Sequence, residues 1–448
     1  MHNDSPLVTD LYQLTMVQSY LDHGMTAPAV FEWFVRRLPA DRAFLVFAGL
    51  QSVLDFLEHL HFSDEELAWL AGTGRFSSRL LDFLRCLRFQ GDVHAMPEGS
   101  PLFPDEPALR ITAPLPVAQL VETRVINLLH IQTLIASKAA RLRIAAGSRL
   151  LVDFGLRRSH GAEAGLLAAR ASFIAGFDGT SNVQAGMAFG IPIMGTMAHS
   201  YILAHDDEVL AFEHYAHSHP QQVVLLLDTY DTEEAARKVV ALAPRLARAG
   251  IKVHGVRLDS GDLARHAVRV RKILDAAGLR EARIMVSGNL DEYDVARLVA
   301  RGAPIDGFGV GTRMSTSSDA PYLDCAYKLQ SYAGVPRRKR SEGKATWPGS
   351  KQVYRFFRDG CIAYDLVTCA DDREQEGLPL LRLVMRNGRR VADAPSMEAL
   401  RETARVGLRS LPQATLRLHH GQPVPVRIAP RLQALARTVD ARQATMGS

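Results

Sequence analysis

The chain has 448 residues, 47% of them hydrophobic and 23% charged, which is the balance of a folded globular protein with more than one domain. The net charge of +5 reflects 53 basic against 48 acidic residues, an excess too small to indicate nucleic-acid binding by itself. The four cysteines form no C-x-x-C pair, which disfavours a disulfide framework or a thiolate zinc site. With no leader and no membrane-length apolar run, a cytoplasmic protein is expected.

The first 120 residues have the pattern of a mixed α+β domain. An amphipathic helix is predicted around residues 8–22, and a strand is predicted at AVFEWFV. Three further helical patterns follow, one of which opens with a capping box from Ser63 to Glu66. The short segments GDVHAM and ALRITA, separated by Pro and Gly, then predict two strands.

The middle of the chain alternates strand and helix patterns. A long helix is predicted from Pro116 to Ala146, and two further helices at 232–250 and 262–278. The predicted strands are RLLVDF, IPIMGT, QVVLLLD, IKVHGVRL, ARIMVS and IDGFGV. Apolar strands joined by helical crossovers indicate a parallel sheet that is buried on both faces.

The pattern therefore predicts an α/β fold in two parts. Residues 121–344 are expected to form an irregular α/β barrel, similar to a TIM barrel, that carries the active site. Residues 1–120 are expected to form a second, α+β domain. In residues 345–448, strand-like pieces such as YRFF and LLRLVMR are expected to return to that first domain.

Functional groups crowd the predicted carboxyl ends of the strands, where barrel enzymes hold their chemistry. Helix capping accounts for several of the acids and hydroxyls there, namely Asp231, Thr232, Asp262 and Asp291. Capping does not account for the arginines at 157, 158 and 257. Several guanidinium groups at one mouth predict a ligand with more than one phosphate or carboxylate.

Two further strand-end segments predict contacts with such a ligand. The turn Gly309-Val310-Gly311-Thr312 lets backbone amides approach an anion, and it follows one of the last strands. Asp259 and Asp262 in DSGD are candidates for binding sugar hydroxyls or a magnesium ion. Capping is the alternative for Asp262.

Other polar groups leave their roles open. His199, after the apolar run IPIM, is either a structural histidine or a catalytic one. The basic segment from Arg337 to Lys351 is a nucleic-acid patch or localisation signal, a loop that binds a small polyanion, or a solvated loop. His214, His217 and His219 have no nearby cysteine, so solvated residues are expected there in preference to metal ligands.

Nine segments stand out in order along the chain: TDLYQLTM, FEWFVRRLP, DFGLRRSHG, GTSNVQAG, GTMAHSYI, VRLDSGD, SGNLD, GFGVGTR and GKATWPGSKQVYR. This ordered set resembles the nicotinate phosphoribosyltransferase family, a type II phosphoribosyltransferase family. The resemblance implies conversion of nicotinate and 5-phosphoribosyl 1-diphosphate to nicotinate mononucleotide and diphosphate, in NAD biosynthesis by salvage. It also implies coupled ATP hydrolysis, which classes the enzyme as a ligase, with Mg as the metal and a homodimer with shared active sites.

The resemblance assigns roles to residues at matching positions. It implies that His199 is phosphorylated by ATP and that Tyr12 and Phe154, from two subunits, enclose the pyridine ring. Arg157 is expected at the nucleotide phosphate or the nicotinate, Arg257 at the phosphoribosyl diphosphate and Asp259 at the ribose. The remaining substrate-binding residues are Ser181, Thr196, Gly288, Gly309, Gly311, Thr312 and Arg313.

Ser181 is the residue whose identity bears on substrate choice. Nicotinamide-using relatives carry an acid at this place in the loop, and its absence here favours a carboxylate substrate. Capping of the next helix is a second role expected for Ser181. Arg313 is expected to face either the 5-phosphate or the pyridine carboxylate.

Three rival functions make different demands on the sequence. A nicotinamide or quinolinate phosphoribosyltransferase is disfavoured by Ser181 and by the chain length. A sugar-phosphate aldolase needs a strand-end lysine for a Schiff base, and the predicted strand ends carry none. A nucleic-acid-binding protein that uses the Arg337 to Lys351 segment predicts salt-dependent polynucleotide binding without turnover.

Overall fold

The computed structural model describes residues 5–341, 344–372 and 376–446. The chain forms two compact units, one of Met1–Ser137 with Tyr322–Ser448 and one of Lys138–Pro321. Both chain ends therefore contribute to one unit, which we call the end unit, and the middle of the chain forms the central unit. None of the described helices is both long and apolar enough to span a membrane.

The first part of the chain contains short strands and helices that lead into one long helix. Its elements are α1 (Leu11–Asp22), β1 (Pro28–Val35), β2 (Leu45–Val46), α2 (Leu50–Glu58), α3 (Asp64–Gly72), α4 (Ser78–Cys86), β3 (Asp92–Ala95), β4 (Pro101–Leu102), β5 (Pro107–Pro114), α5 (Leu115–Leu120) and α6 (Glu122–Ala146). The predicted capping box is confirmed, because the Ser63 and Glu66 side chains each accept from the other's backbone N–H. The single helix expected from Pro116 is two helices, separated at Val121.

The middle of the chain alternates strands and helices. Its elements are β6 (Leu150–Asp153), a 3-10 turn (Leu156–Arg158), α7 (Ala162–Ile174), β7 (Gly179–Thr180), α8 (Val183–Phe189), α9 (His199–Leu203), α10 (Glu208–Ser218), β8 (Val223–Leu226), α11 (Thr232–Arg248), β9 (Val253–Leu258), α12 (Leu263–Ala276), β10 (Arg283–Val286), α13 (Glu292–Ala300), β11 (Gly307–Val310) and α14 (Thr312–Ser315). Five of the six predicted strands are confirmed as β6, β8, β9, β10 and β11.

The last part of the chain is mostly strand. Its elements are β12 (Cys325–Tyr332), β13 (Val335–Pro336), β14 (Lys351–Arg358), β15 (Cys361–Cys369), β16 (Leu378–Pro379), β17 (Arg382–Arg386), β18 (Arg389–Arg390), α15 (Met397–Arg409), β19 (Val426–Ile428) and α16 (Pro430–Met446). The predicted strands in YRFF and LLRLVMR are confirmed as parts of β14 and β17.

The end unit is built on a seven-stranded sheet in the order β13-β12-β1-β5-β3-β17-β18. β1 lies inside this sheet, and its Phe31 and Trp33 side chains are buried. β17 pairs antiparallel with β3, so the C-terminal segment shares a sheet with the first part of the chain. A four-stranded sheet in the order β16-β14-β15-β19 belongs to the same unit.

The central unit is built on a six-stranded parallel sheet in the order β7-β6-β11-β10-β9-β8. The parallel α/β architecture is thus confirmed, and in the described chain β7 and β8 stand at the two edges of the sheet. IPIMGT is not a strand, since only Ile193 bridges to Thr180. Pro192 has no N–H to donate to a ladder, and the neighbouring strand β7 has only two residues.

The boundaries of the observed units differ from the expected domain boundaries, which lie at 120/121 and 344/345. Lys138 and Arg141 of α6 form buried ion pairs with Glu292 of α13, so this half of α6 packs with the central unit. At the other boundary, β12 pairs along its length with β1 and therefore belongs to the end unit. The central unit is accordingly shorter than the expected barrel, 121–344.

Candidate active site

The carboxyl ends of β6, β9, β10 and β11 surround a cavity of about 350 Å³ in the central unit. Eight of the predicted site residues line it: Phe154, Arg157, Arg257, Asp259, Gly288, Gly309, Gly311 and Thr312. Arg158, Ser287 and Asn289 complete the lining. Residues that are far apart in sequence thus meet at the strand ends, as the parallel sheet predicts.

A second cavity, of about 480 Å³, shares four residues with the first, including Phe154 and Arg257. Its walls include Thr196 and the apolar side chains of Val152 and Met285. The lining also includes Lys252, Glu281 and Arg283, near the amino ends of β9 and β10, so apolar and charged groups share this cavity. Together the two cavities offer cationic and apolar surface, which suits a ligand with one anionic part and one flat, weakly polar part.

Arg257 is held in place by its neighbours. Its Nε donates to Ser287 Oγ at 2.9 Å, and its Nη2 donates to Asp259 Oδ1 at 2.8 Å. Its Nη1 donates to Thr196 Oγ1 at 3.0 Å and to the Met197 carbonyl at 3.3 Å. Most of the N–H donors of this guanidinium are therefore occupied, and the side chain serves as a fixed brace between the ends of β9 and β10.

Asp259 is a charged group in this brace. Burial raises its pKa, but hydrogen bonds from Ser287 and Arg257 and the positive charge of Arg257 outweigh burial and lower the pKa below its usual value. Asp259 therefore stays ionised well into the acid range. Its Oδ2 lies 3.9 Å from His199 Nε2.

His199 is the first residue of the five-residue helix α9. Its Nδ1 lies 3.1 Å from Thr229 Oγ1, which is within hydrogen-bond distance. The side chain is 39% exposed, so the ring is accessible while one face stays within reach of Asp259. The structure thus brings His199 to the same strand ends as Arg257 and Asp259.

Phe154 lies directly after β6, and its ring forms the floor beside Arg257. The Arg257 guanidinium carbon is 5.4 Å from the ring centroid, a cation–π distance. Gly309 makes room for this ring, because a Cβ at that position would lie 2.4 Å from a Phe154 ring carbon. The glycine at 309 is therefore required by packing against the aromatic ring.

Gly288 has a different requirement. Its φ is +109°, and an added Cβ would lie 2.1 Å from the Asp259 carbonyl oxygen. Any larger residue would push apart the ends of β9 and β10 and displace Asp259.

Arg157 and Arg158 are the exposed cations of the cavity, on the 3-10 turn after β6. Arg158 Nη1 lies 3.5 Å from Thr312 Oγ1, so the turn reaches the glycine segment that ends β11. Arg157 is also exposed, and within the described chain it has no carboxylate partner. These two side chains, unlike Arg257, are free to bind an added anion.

Arg313 is placed outside this cavity. Its Nη1 contacts Asp291 Oδ2 at 2.5 Å and Asp294 Oδ2 at 3.1 Å, at the start of α13. Its charge is thus partly neutralised by two acids. Asp262 also caps a helix, since its side chain accepts from Arg265 N at the start of α12.

Ser181 follows the short strand β7 and is exposed. Its backbone N–H donates to the Asp153 carbonyl at 2.8 Å, and Thr180 Oγ1 donates to buried Asp153 Oδ2 at 2.7 Å. The expected capping role of Ser181 is wrong, because Asn182 is the N-cap of α8 and accepts from Ala185 N. Asn182 lies one residue closer to the helix, which leaves the Ser181 side chain free.

Tyr12 belongs to the end unit, where it lies on α1 and is 49% exposed. Its exposure suits a ring that contacts another molecule, and its assigned role stays a prediction.

The sequence interpretation did not single out four residues at the strand ends, namely Ser287, Asn289, Asp228 and Thr229. Ser287 connects Arg257 to Asp259. Asp228 Oδ2 accepts from Asp259 N at 3.1 Å, while its Oδ1 is buried without a hydrogen-bond partner in the described chain. Asp228 and Ser287 end predicted strands, and Thr229 and Asn289 follow them, so the position at a strand end is the signal that could identify all four.

The basic segment from Arg337 to Lys351 is largely tied to its own unit. Arg338 and Arg340 pair with Asp440 at 3.0 and 3.4 Å, and buried Lys351 pairs with Glu32 at 2.7 Å. Residues 342 and 343 of this segment lie outside the described residues. Three of its cations thus have internal carboxylate partners.

The histidines of α10 form no metal cluster in the part of the chain that the structure describes. His214 Nδ1 instead lies 3.3 Å from His205 Nε2, and His217 and His219 contact backbone carbonyls of their own helix.

Family models and known proteins identify the family to which the chain is similar. The nicotinate phosphoribosyltransferase (NAPRTase) N-terminal domain matches residues 7–130, the NAPRTase family matches residues 150–356, and the C-terminal domain matches residues 374–436. Nicotinate phosphoribosyltransferase pncB2 of Mycobacterium tuberculosis is 46% identical over 99% of this chain and 96% of its own length. The enzyme of Bacillus subtilis is 42% identical over 78% of this chain and 73% of its own length.

Solved structures lead to the same family. The crystal structure of human nicotinic acid phosphoribosyltransferase matches with a TM-score of 0.87 and 31% identity, covering 96% of this chain and 99% of that one. The similarity thus extends over both units and over all the segments that form the cavity. This chain belongs to the nicotinate phosphoribosyltransferase family.

Proposed function

We propose that this chain transfers the phosphoribosyl group of 5-phosphoribosyl 1-diphosphate to nicotinate, giving nicotinate mononucleotide and diphosphate. The proposal is carried by one observation: free arginines, a braced arginine–aspartate pair and an aromatic ring face the same cavity in a member of this family. ATP is a further substrate in the proposal, and hydrolysis of ATP is coupled to the transfer.

The pyridine ring stacks on Phe154. Arg257 lies against the same aromatic ring and keeps it fixed, which reduces the cost of ordering the site when the ligand binds. The partner's Tyr12 covers the other face in a homodimer with shared active sites. The same proposal includes the irregular α/β barrel, in which the parallel sheet forms part of the wall.

Arg157 and Arg158 bind the phosphate groups. Both are exposed cations at the mouth, and guanidinium forks match phosphate oxygens. Backbone N–H groups of the Gly309–Thr312 segment bind the 5-phosphate, since Gly309, Gly311 and Thr312 all line the cavity. Arg257 acts on the anion through its charge more than through new hydrogen bonds.

Asp259 accepts hydrogen bonds from ribose hydroxyls, which its low pKa permits at neutral pH. Asp259 and Asp228 also suit a magnesium ion, since Asp228 Oδ1 is a buried carboxylate oxygen without a described partner. Magnesium usually binds one or two carboxylates together with substrate phosphates, so a larger protein cluster is not needed. When bound, the ion would stabilise the charge on the departing diphosphate.

The transfer needs no protein nucleophile. It needs alignment of the pyridine nitrogen with C1 of the ribose. The pyridine nitrogen attacks C1 of the ribose as the bond to diphosphate breaks, with positive charge developing on the sugar. Phe154 fixes the direction of attack, and Asp259 faces the sugar. Arg157 and Arg158 stabilise the negative charge that leaves.

His199 carries the phosphoryl group from ATP. It lies beside Asp259 at the mouth, so a phosphate on its ring alters the charge where diphosphate binds. We place the enzyme in the cytoplasm, in the salvage branch of NAD biosynthesis.

The test is diphosphate release from 5-phosphoribosyl 1-diphosphate with nicotinate, nicotinamide or quinolinate, each with and without ATP. Turnover with nicotinate and stimulation by ATP are expected. Preference for either other base overturns the substrate assignment.

A separate variant tests the ATP step. His199→Ala is expected to lose ATP stimulation while slow ATP-independent transfer continues, because the ring carries only the phosphoryl group. ATP stimulation of wild-type size in this variant contradicts the role of His199.

A further inference from the structure

The two residues that follow β8 hold two different parts of the site. Asp228 Oδ2 accepts from Asp259 N at 3.1 Å and from Ser260 Oγ at 2.5 Å, so it fixes the segment after β9. Thr229 Oγ1 contacts His199 Nδ1 at 3.1 Å, so it fixes the imidazole. One dipeptide thus sets the 3.9 Å spacing between His199 Nε2 and Asp259 Oδ2.

Thr229 is an important restraint on the ring because His199 has few others. The helix that begins at His199 has five residues, and the side chain is 39% exposed, so neither a long helix nor close packing fixes its rotamer. Within the described chain, the Thr229 hydroxyl is the hydrogen-bond partner of the imidazole.

The two ring nitrogens differ in their contacts. A neutral imidazole carries one N–H and one lone pair. Asp259 Oδ2 is 3.9 Å from Nε2, too far to accept a hydrogen bond, so nothing on that side fixes a proton on Nε2. The Thr229 oxygen is close enough to accept from Nδ1. In the tautomer in which Nδ1 donates to Thr229 Oγ1, the lone pair is on Nε2.

We infer that Thr229 is a positioning residue, which accepts a hydrogen bond from His199 Nδ1–H and presents Nε2 as the nitrogen that is phosphorylated. The inference rests on the proposed function. The Nε2 lone pair forms a bond to the γ-phosphorus of ATP while the bond from that phosphorus to the bridging oxygen breaks, and ADP leaves with the electron pair. Nδ1 keeps its proton, and the positive charge of the ring is stabilised by the Thr229 oxygen.

The experiment measures phosphohistidine formed from γ-labelled ATP in a single turnover, in the wild-type chain, Thr229→Val and Thr229→Ser. Valine keeps the shape and removes the hydroxyl, whereas serine keeps the hydroxyl. We expect Thr229→Val to slow phosphorylation about 10-fold, the size of one lost hydrogen bond, and Thr229→Ser to stay within about twofold of wild type. Exposed Tyr230 provides the matched control Tyr230→Phe, which is expected to keep the wild-type rate.

Phosphorus NMR of the denatured wild-type phosphoenzyme identifies the modified nitrogen. A phosphate on Nε2 supports the inference, and a phosphate on Nδ1 overturns it. Phosphorylation of Thr229→Val at the wild-type rate also overturns it and leaves the proposed function standing. Absence of phosphohistidine from the wild-type enzyme overturns the ATP step and this inference together.

Discussion

At the scale of single residues, the arginines of the site divide by what already binds them. Arg257 and Arg313 contact carboxylates of the protein, at 2.8 Å from Asp259 and 2.5 Å from Asp291. Arg157 and Arg158 are exposed at the mouth. Because a paired guanidinium has fewer donors left for a ligand, the two free arginines are expected to contribute most of the binding of phosphate.

Ser287 is the residue whose loss tests the arginine–aspartate brace. Its hydroxyl lowers the pKa of Asp259, so Ser287→Ala removes that effect and raises the pKa of this carboxyl. Asp259 then takes up a proton at a higher pH, and the acid limb of kcat/KM for nicotinate moves to higher pH. We also expect kcat/KM at neutral pH to fall about 10-fold, because Arg257 Nε loses its acceptor.

The control for this change is Ser287→Thr, which retains the hydroxyl and is expected to keep the position of the acid limb. An acid limb that does not move in Ser287→Ala shows that ionisation of Asp259 is unimportant for turnover.

Ser181 tests substrate choice. Its side chain is free of the capping role, because Asn182 caps α8. Ser181→Asp adds a negative charge at the proposed pyridine site, so KM for nicotinate is expected to rise about 10-fold through repulsion of the substrate carboxylate. Ser181→Asn, similar in size and uncharged, is the control. The measurement is steady-state kinetics with nicotinate and with nicotinamide. Unchanged nicotinate kinetics in Ser181→Asp contradict the charge argument.

The sequence identified most residues that line the cavity, because the ends of parallel strands must meet. It could not identify Ser287 or Thr229 as contacts of Arg257 and His199. A serine or threonine after a strand also suits capping, and only the packing of one strand against the next decides its partner. For the same reason the sequence does not predict that Arg313 contacts the start of α13, and its expected contact with an anion stays a prediction.

At the scale of elements, helix caps lie beside the site without belonging to it. Asp231 accepts from Glu234 N at 2.7 Å and caps α11. Asp231→Ala is expected to lower the free energy of unfolding by about 1 kcal/mol, as loss of a cap does. Urea unfolding measures this change.

Asp231→Asn separates capping from charge, because asparagine caps a helix about as well as aspartate. It is expected to unfold within about 0.5 kcal/mol of wild type. Destabilisation of Asp231→Asn as large as that of Asp231→Ala shows that the charge, and not the cap, stabilises α11.

The elements show where periodicity is informative and where it fails. Long patterns such as those of α11 and α12 are confirmed nearly residue for residue. β7 has only two residues, too few for any alternation, and the apolar pattern of IPIM predicts a strand in its place. Strand pairing at this edge is decided by contacts with Asp153 and Pro192 that a local pattern does not contain.

At the scale of the whole molecule, half of the six cations between Arg337 and Lys351 are already paired in the described chain. Arg338, Arg340 and Lys351 have acidic partners in the end unit. Counterion release requires cations that exchange their partners for phosphates, and these are already paired. The site in the central unit therefore explains the arginines better than polynucleotide binding does.

The end unit contains a histidine that links stability to pH. His94 of β3 lies opposite Arg110 of β5. Burial, with the nearby charge of Arg110 and Arg386, lowers the pKa of His94 from 6.5 to about 4, and its Nδ1 has no described hydrogen-bond partner. The unfolded chain binds a proton at this histidine near pH 6.5, and the folded chain resists it until about pH 4.

Between these two pH values the unfolded state therefore binds more protons, so His94 makes the protein lose stability as pH falls. Above the window both states hold a neutral ring, and the effect is absent. His94→Gln cannot take up the proton, so its free energy of unfolding should decline less steeply between pH 6.5 and about 4 than that of wild type. Urea unfolding at several pH values measures the slopes, with exposed His61→Gln as the control that is expected to follow wild type. Parallel curves for wild type and His94→Gln contradict the assignment, because a histidine that titrates alike in both states contributes no slope.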